Sequence, residues 1–410
     1  MTILHPEIIF QDMQSLEEIY RKKISLTDMS FVRSMEASIN WKARLVCIRG
    51  ARGSGKTTLM LQHIKKAFRK NLGKAMYASL DNLYFSEVSL VEFADNIVKR
   101  GVTHLFLDEV HKYPDWSREI KNIYDDYPEL SIAFTGSSLL EILNARSDLS
   151  RRALVYELQG LSFREYLNLV ARKNFPAYPL KDILQKSETI SAEIVSKIKP
   201  FKYFEHYLRH GYYPYFLEGI DDYYSRLAES LNMIVEVELP LLRGLEPAYI
   251  ARIKKLLAII GKSAPFLPNI SGISSAIQIS RQTLLQYFQY LEDAKLIFRV
   301  FKESRGLGAL EKPDKIFLEN TNLMFLLGQA ETNIGNVRET FAYNQLSSLH
   351  EVLFSEQSDF LVDKEYTLEV GGKGKTRKQI KDIPNSYIIA DDIEYGTEKR
   401  IPLWLLGFLY

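Results

Sequence analysis

Between residues 43 and 158 the chain alternates short apolar runs with longer amphipathic stretches. The runs are Leu45-Val46-Cys47-Ile48, Ala75-Met76-Tyr77-Ala78, Leu105-Phe106-Leu107 and Ile132-Ala133-Phe134. Runs this short, apolar at successive positions, predict strands buried on both faces of a parallel sheet. Helical patterns lie between them at 57–70, 89–99, 116–127 and 138–146. The first forty residues read as polar and helical, ending near Asn40-Trp41-Lys42. An α/β domain is expected here.

From 161 to 262 the pattern is helical and aromatic, with no convincing strand. Ser280 can cap a helix whose apolar positions Leu284, Phe288 and Leu291 share one face. A short helix near 271–277 precedes it, and a strand at 296–300 follows. Helix, turn, helix and strand suggest a winged helix. Residues 335–410 open with a helix and continue with short strands, ending in an apolar stretch at 401–410 read as a buried final strand. The expected divisions are 1–160, 161–262, 263–333 and 334–410.

Composition narrows the class. A length of 410 residues exceeds the ~250–300 at which single cores stop growing. An apolar fraction of 46% and a charged fraction of 25% exclude disorder and disulfide scaffolds. The 53 basic and 51 acidic residues leave a net charge of +2, which does not point to any partner. The single cysteine, Cys47, fits a reducing cytoplasm. No apolar stretch approaches the ~20 residues of a spanning helix, and the N-terminus lacks a signal-peptide pattern, so no membrane role is expected.

The chemistry concentrates after the first strand. Gly50-Ala51-Arg52-Gly53-Ser54-Gly55-Lys56-Thr57 matches G-x-x-x-x-G-K-[ST], preceded by a strand and followed by a helix. Glycines let successive N–H groups face one anion, and the helix N-terminus favours negative charge. Lys56 is expected on the β- and γ-phosphates and the Thr57 hydroxyl on Mg²⁺. The apolar strand Leu105-Phe106-Leu107 ends in Asp108-Glu109. Asp108 suits the outer-sphere Mg²⁺ contact, and Glu109 can polarise an attacking water. No N-K-x-D base-reading motif is present, so ATP is expected rather than GTP. At the next strand end, Thr135 or Ser137 is a candidate to orient the water, with helix capping by Ser137 an open alternative. Arg146, Arg151 and Arg152 offer either an arginine finger for a neighbouring subunit or surface salt bridges.

These residues resemble the prokaryotic AAA-type ATPases fused to a C-terminal domain of unknown function. The resemblance is carried by residues 50–58, by Leu107-Asp108-Glu109-Val110-His111 with Trp116, and by Thr135-Gly136-Ser137-Ser138. Arg152, Leu161-Ser162-Phe163-Arg164-Glu165-Tyr166 and Ile401-Pro402-Leu403-Trp404-Leu405-Leu406-Gly407 extend it. It implies an AAA+ P-loop core, a helical lid, a winged helix and a terminal region similar to PD-(D/E)xK nucleases. Walker A roles then fall on Gly50 through Thr58, and the catalytic set on Lys56, Glu109, Ser137 and Arg152. ATP and Mg²⁺ are the implied ligands, and a homo-oligomer is allowed.

In the nuclease pattern, Asp359 and Glu369 are spaced acceptably, but the lysine expected two residues after Glu369 is Gly371. Lys373 or Lys375 would have to reach in, so a degenerate or binding domain is the favoured reading. Residues 373–381 hold five basic side chains and no acidic one, either a phosphate contact or a solvated face. The winged helix is open to DNA or to protein: Gln282, Gln286 and Gln289 lie on a helix with one Arg beside Glu292 and Asp293. The aromatic cluster 203–216 is read as core rather than a base-stacking platform.

Overall fold

The computed structural model describes residues 6–136, 149, 151–303, 311–328 and 332–410. It divides into two compact units, Met1–Gln159 and Gly160–Tyr410.

The first unit is built on a parallel sheet. Its strands are β1 (Leu45–Arg49), β2 (Ala75–Ser79), β3 (His104–Asp108), β4 (Ser131–Gly136) and β5 (Leu154–Glu157), in the spatial order β2-β3-β4-β1-β5. All but the last were legible as apolar runs. β5 was missed because Leu154 and Val155, on an edge strand, are exposed and followed by Tyr156 and Glu157. The helices are α1 (Pro6–Leu26), α2 (Met35–Ser38), α3 (Lys56–Ala67), α4 (Leu90–Lys99) and α5 (Trp116–Asp126). α1 buries Met13, Leu16, Tyr20 and Ile24, spaced three or four apart, against the core that α3 and β2 share. β4 lies between β3 and β1, so the strand carrying Thr135 separates the two motif strands. Residues 137–148, which include Ser137, Arg146 and the helix expected at 138–146, lie outside the described residues.

The second unit begins with α6 (Phe163–Val170), α7 (Leu180–Gln185), α8 (Ser187–Lys197) and α9 (Phe201–His206). It continues through α10 (Tyr223–Met233), α11 (Leu239–Arg243), α12 (Pro247–Ser263), α13 (Ile270–Ile277) and α14 (Arg281–Asp293). Ser280 caps α14 by accepting from the Thr283 N–H, as its sequence suggests. An antiparallel pair follows, β6 (Ile297–Val300) with β7 (Lys315–Leu318). Then come α15 (Thr321–Gly328), α16 (Ile334–Ser347) and a mixed sheet. Its strands are β8 (Val352–Phe354), β9 (Phe360–Val362), β10 (Tyr366–Gly371), β11 (Ser386–Ala390) and β12 (Arg400–Pro402), ordered β12-β11-β10-β9-β8.

The final apolar stretch is not one strand. Only Arg400–Pro402 pairs in the sheet, and Leu403–Phe408 is a buried 3-10 helix. A run apolar at every position reads alike in a two-faced strand and in a helix buried all round.

The buried part of the aromatic cluster is core, while Tyr203, Tyr215 and Phe216 are half-buried. Tyr207, Tyr212 and Tyr213 are buried, and their hydroxyls donate to the Leu161 carbonyl and the Glu319 carboxylate, or accept from Asn320. Rings tied down in this way present no face for stacking bases.

Candidate functional site

The loop between β1 and α3 bends through Gly53 at φ 78° and Gly55 at φ 95°, both in the left-handed region that favours glycine. A Cβ added at Gly55 would meet nothing within 4 Å, so that side of the loop is open. A Cβ at Gly50 would lie 2.3 Å from the Leu158 carbonyl oxygen. The buried Ser54 hydroxyl has no hydrogen-bond partner. An open glycine cradle at a helix N-terminus, with an orphaned hydroxyl beneath it, fits a bound phosphate.

Lys56 is buried and donates to the carbonyls of Gly50 and Ala51, both at 2.9 Å. Ala51, Arg52 and Gly53 are half-buried around the turn, and Thr58 is exposed one residue past the half-buried Thr57. Arg33 braces the loop from beneath, donating at 2.8 Å to the carbonyls of both Ser54 and Gln159. No local motif marks Arg33, because its partners are distant in sequence.

Asp108, at the end of β3 and buried, gathers donors from two strands, a helix and the next residue of the chain. Its Oδ2 accepts from the Thr57 hydroxyl at 2.7 Å and from Tyr77 Oη at 2.9 Å. Its Oδ1 accepts from the Thr135 hydroxyl and, at 3.2 Å, from the Glu109 N–H. Thr57 and Asp108 together offer hard oxygens of the kind Mg²⁺ takes. Of the two β4 candidates, Thr135 is the one the described structure brings to the site. Tyr77 was read only as part of an apolar run; its hydroxyl gains meaning from the strand order, which places β2 beside β3.

Glu109 adopts φ 54°, an uncommon conformation for a side chain other than Gly, Asn or Asp. Its Oε2 lies 3.5 Å from His111 Nε2. Burial, reinforced by Lys112, Lys56 and Arg52, pushes the His111 pKa down to about 3, so the imidazole is neutral. Arg152 forks onto Asp125 through Nε at 3.2 Å and Nη2 at 3.1 Å, and a finger role would require it to leave that pair.

The C-terminal sheet places Glu369 on β10, where its Oε1 lies 2.5 Å from Lys375 Nζ. Asp359 accepts from the Val370 N–H at 2.7 Å. Burial raises the Glu339 and Glu369 carboxyls above their ordinary range. Among the described residues no group of three His, Cys, Asp or Glu is arranged to hold a metal ion. In the basic stretch, Lys375 pairs with Glu369 and Arg377 donates to Ser386, so Lys373, Lys378 and Lys381 are its exposed cations. On α14, Gln289 is bonded to Asp293 and Arg299, and Arg299 and Arg243 neutralise Glu292 and Asp293. No helix among the described residues is long and apolar enough to cross a membrane.

Comparison with known proteins agrees with this geometry. Residues 42–167 match the AAA domain family, and residues 201–332 match a domain of unknown function, DUF8612. No curated protein matches the chain. Among solved structures, the Walker-type ATPase Paby2304 of Pyrococcus abyssi aligns over 74% of this chain and 99% of its own, at 13% identity and TM-score 0.40. AMPPCP-bound DnaA from Aquifex aeolicus covers 64% and 85%, at 16% identity and TM-score 0.27. The Aeropyrum pernix Orc1 protein in complex with DNA covers 77% and 92%, at 14% identity and TM-score 0.28. These superpositions are loose and carry no weight for function. The family match over residues 42–167 and the parallel sheet order agree on an AAA-type P-loop fold for the first unit.

Proposed function

We propose that the chain is a Mg²⁺-dependent ATPase whose nucleotide cycle drives a conformational change on a DNA or protein partner. One observation carries this reading: the phosphate-loop hydroxyl of Thr57 and the β3 carboxylate of Asp108 meet at 2.7 Å beside an open glycine cradle. Lys56 exchanges its bonds to the Gly50 and Ala51 carbonyls for phosphate oxygens. The loop amides from Gly50 to Thr58 and the start of α3 hold the polyphosphate. Thr57 and Asp108 would hold Mg²⁺, which supplies charge neutralisation on the phosphates. Glu109, next to neutral His111, accepts the proton of the attacking water. Ser137 and Arg152 complete the proposed catalytic set as water-orienting residue and finger. The buried thiol Cys47 is compatible with a reducing cytoplasm.

Steady-state ATPase and nucleotide-binding measurements test this. Lys56→Ala is expected to abolish binding. Glu109→Gln is expected to bind ATP while turnover falls roughly 100-fold or more, the size of a lost general base. Equal turnover in wild type and Glu109→Gln would sink the assignment.

A second reading, a nucleotide-gated switch with little hydrolysis, is favoured by the Glu109–His111 contact, which holds the base against a neighbour. It predicts wild-type turnover near that of Glu109→Gln, with partner binding still dependent on ATP. A winged helix at α13, α14, β6 and β7 and the exposed lysines at 373–381 are the proposed partner surfaces. The exposed β5 edge is the proposed place for a homo-oligomer contact.

A further inference from the structure

Helix α1 reaches the end of β3 through an unbroken set of side-chain bonds. Lys23 Nζ donates to Tyr77 Oη at 3.1 Å and sits 4.9 Å from the centre of the same ring. Tyr77 Oη donates in turn to Asp108 Oδ2 at 2.9 Å. A phenol has one proton, and it goes to the carboxylate. The lysine bond therefore falls on an Oη lone pair, which polarises the O–H toward Asp108.

The donors around Asp108 differ in origin. Thr57 belongs to the phosphate loop, Thr135 to β4, and the Glu109 N–H to the next residue of the chain. Tyr77 belongs to no nucleotide motif, yet it shares Oδ2 with Thr57. Carboxylates held by such outer partners lose metal affinity when the partner is removed.

We propose that Tyr77 is a positioning residue that fixes the Asp108 carboxylate for Mg²⁺, and that Lys23 couples the docking of α1 to that role. This rests on the reading of Thr57 and Asp108 as the Mg²⁺ pair. The N-terminal helix then acts as a regulator of cation affinity rather than as a passive cover for the sheet edge.

The test uses the full chain and a fluorescent ATP analogue, with affinity measured in EDTA and across a Mg²⁺ titration. For Tyr77→Phe, half-saturating Mg²⁺ is expected to rise roughly 10-fold, as for other lost outer partners, while affinity in EDTA is unchanged. Lys23→Met, which leaves the Tyr77–Asp108 bond in place, is expected to give a smaller rise in the same direction and carries the test if Tyr77→Phe does not fold. An unaltered Mg²⁺ dependence in the variants overturns the proposal, as does an equal loss in EDTA and Mg²⁺, the mark of a merely structural role. A wild type whose nucleotide affinity ignores both Mg²⁺ and Lys56→Ala overturns the underlying reading, and the proposal with it.

Discussion

Gly50 and Gly55 sit five residues apart in the same loop but need glycine for different reasons. Gly50 needs it for space, because an added Cβ would strike the Leu158 main-chain oxygen at 2.3 Å. Gly55 needs it for conformation, at φ 95° with open space above. Gly50→Ala is therefore expected to lower thermal stability in the absence of nucleotide, by up to about 3 kcal/mol, the usual range for overpacking. Gly55→Ala is expected to cost about 1–2 kcal/mol of left-handed strain and to lose nucleotide affinity by bending the amide cradle. Differential scanning calorimetry and nucleotide titration separate the two. His111 makes a further prediction at this scale. Its folded pKa, about 3, lies below the ordinary histidine value of 6.5, so the unfolded chain binds the extra proton. Stability from this group is complete above pH 6.5 and falls as the pH drops toward 3. By pH 5 the loss reaches up to about 2 kcal/mol, and His111→Gln is expected to flatten that part of a denaturant-midpoint profile. Lys56, Thr57, Asp108 and Glu109 were legible in the sequence because each is fixed by local spacing. Tyr77, Lys23 and Arg33 were not, since their partners become neighbours only through the strand order.

The Leu-Ser-Phe-Arg-Glu segment and the final apolar segment, both part of the family resemblance, pack together in the second unit. Ser162 and Glu165 form a capping box at the start of α6. The Ser162 hydroxyl also donates to the Tyr410 main-chain oxygen at 2.6 Å, and Arg164 Nε donates there at 2.8 Å. Gly407 leaves no room for a Cβ, which would lie 2.4 Å from that of Phe163. Both segments thus define a structural lock rather than a catalytic site. Ser162→Ala, losing a cap and a second bond, is expected to cost about 2 kcal/mol, the upper end for N-caps. Gly407→Ala is expected to open the lock and raise the rate of limited proteolysis between 403 and 410. Elements were readable where burial was one-sided and long enough to show a period. β5 was missed because it is an exposed edge, and the buried β7 because, at four residues, only its pairing with β6 defines it.

At the scale of the whole molecule, the near-zero net charge does not mean that the surface is featureless. Five basic residues at 373–381 suggested a phosphate contact, yet Lys375 is spent on Glu369 and Arg377 on Ser386. The exposed cations left in that stretch are Lys373, Lys378 and Lys381. If DNA is the partner and this face meets it, each lysine releases about one counterion, and the patch contributes about −2.7 to the slope of log affinity against log salt. Anisotropy titrations of duplex DNA with ATP-bound Glu109→Gln, at salt concentrations from about 50 to 200 mM, measure that slope. Replacing the three lysines by alanine is expected to flatten it by the same amount while leaving ATP affinity unchanged, because the residues proposed to hold ATP belong to the first unit and the lysines to the second. A slope that ignores the triple substitution removes this face from the DNA reading and leaves the protein-partner reading in its place.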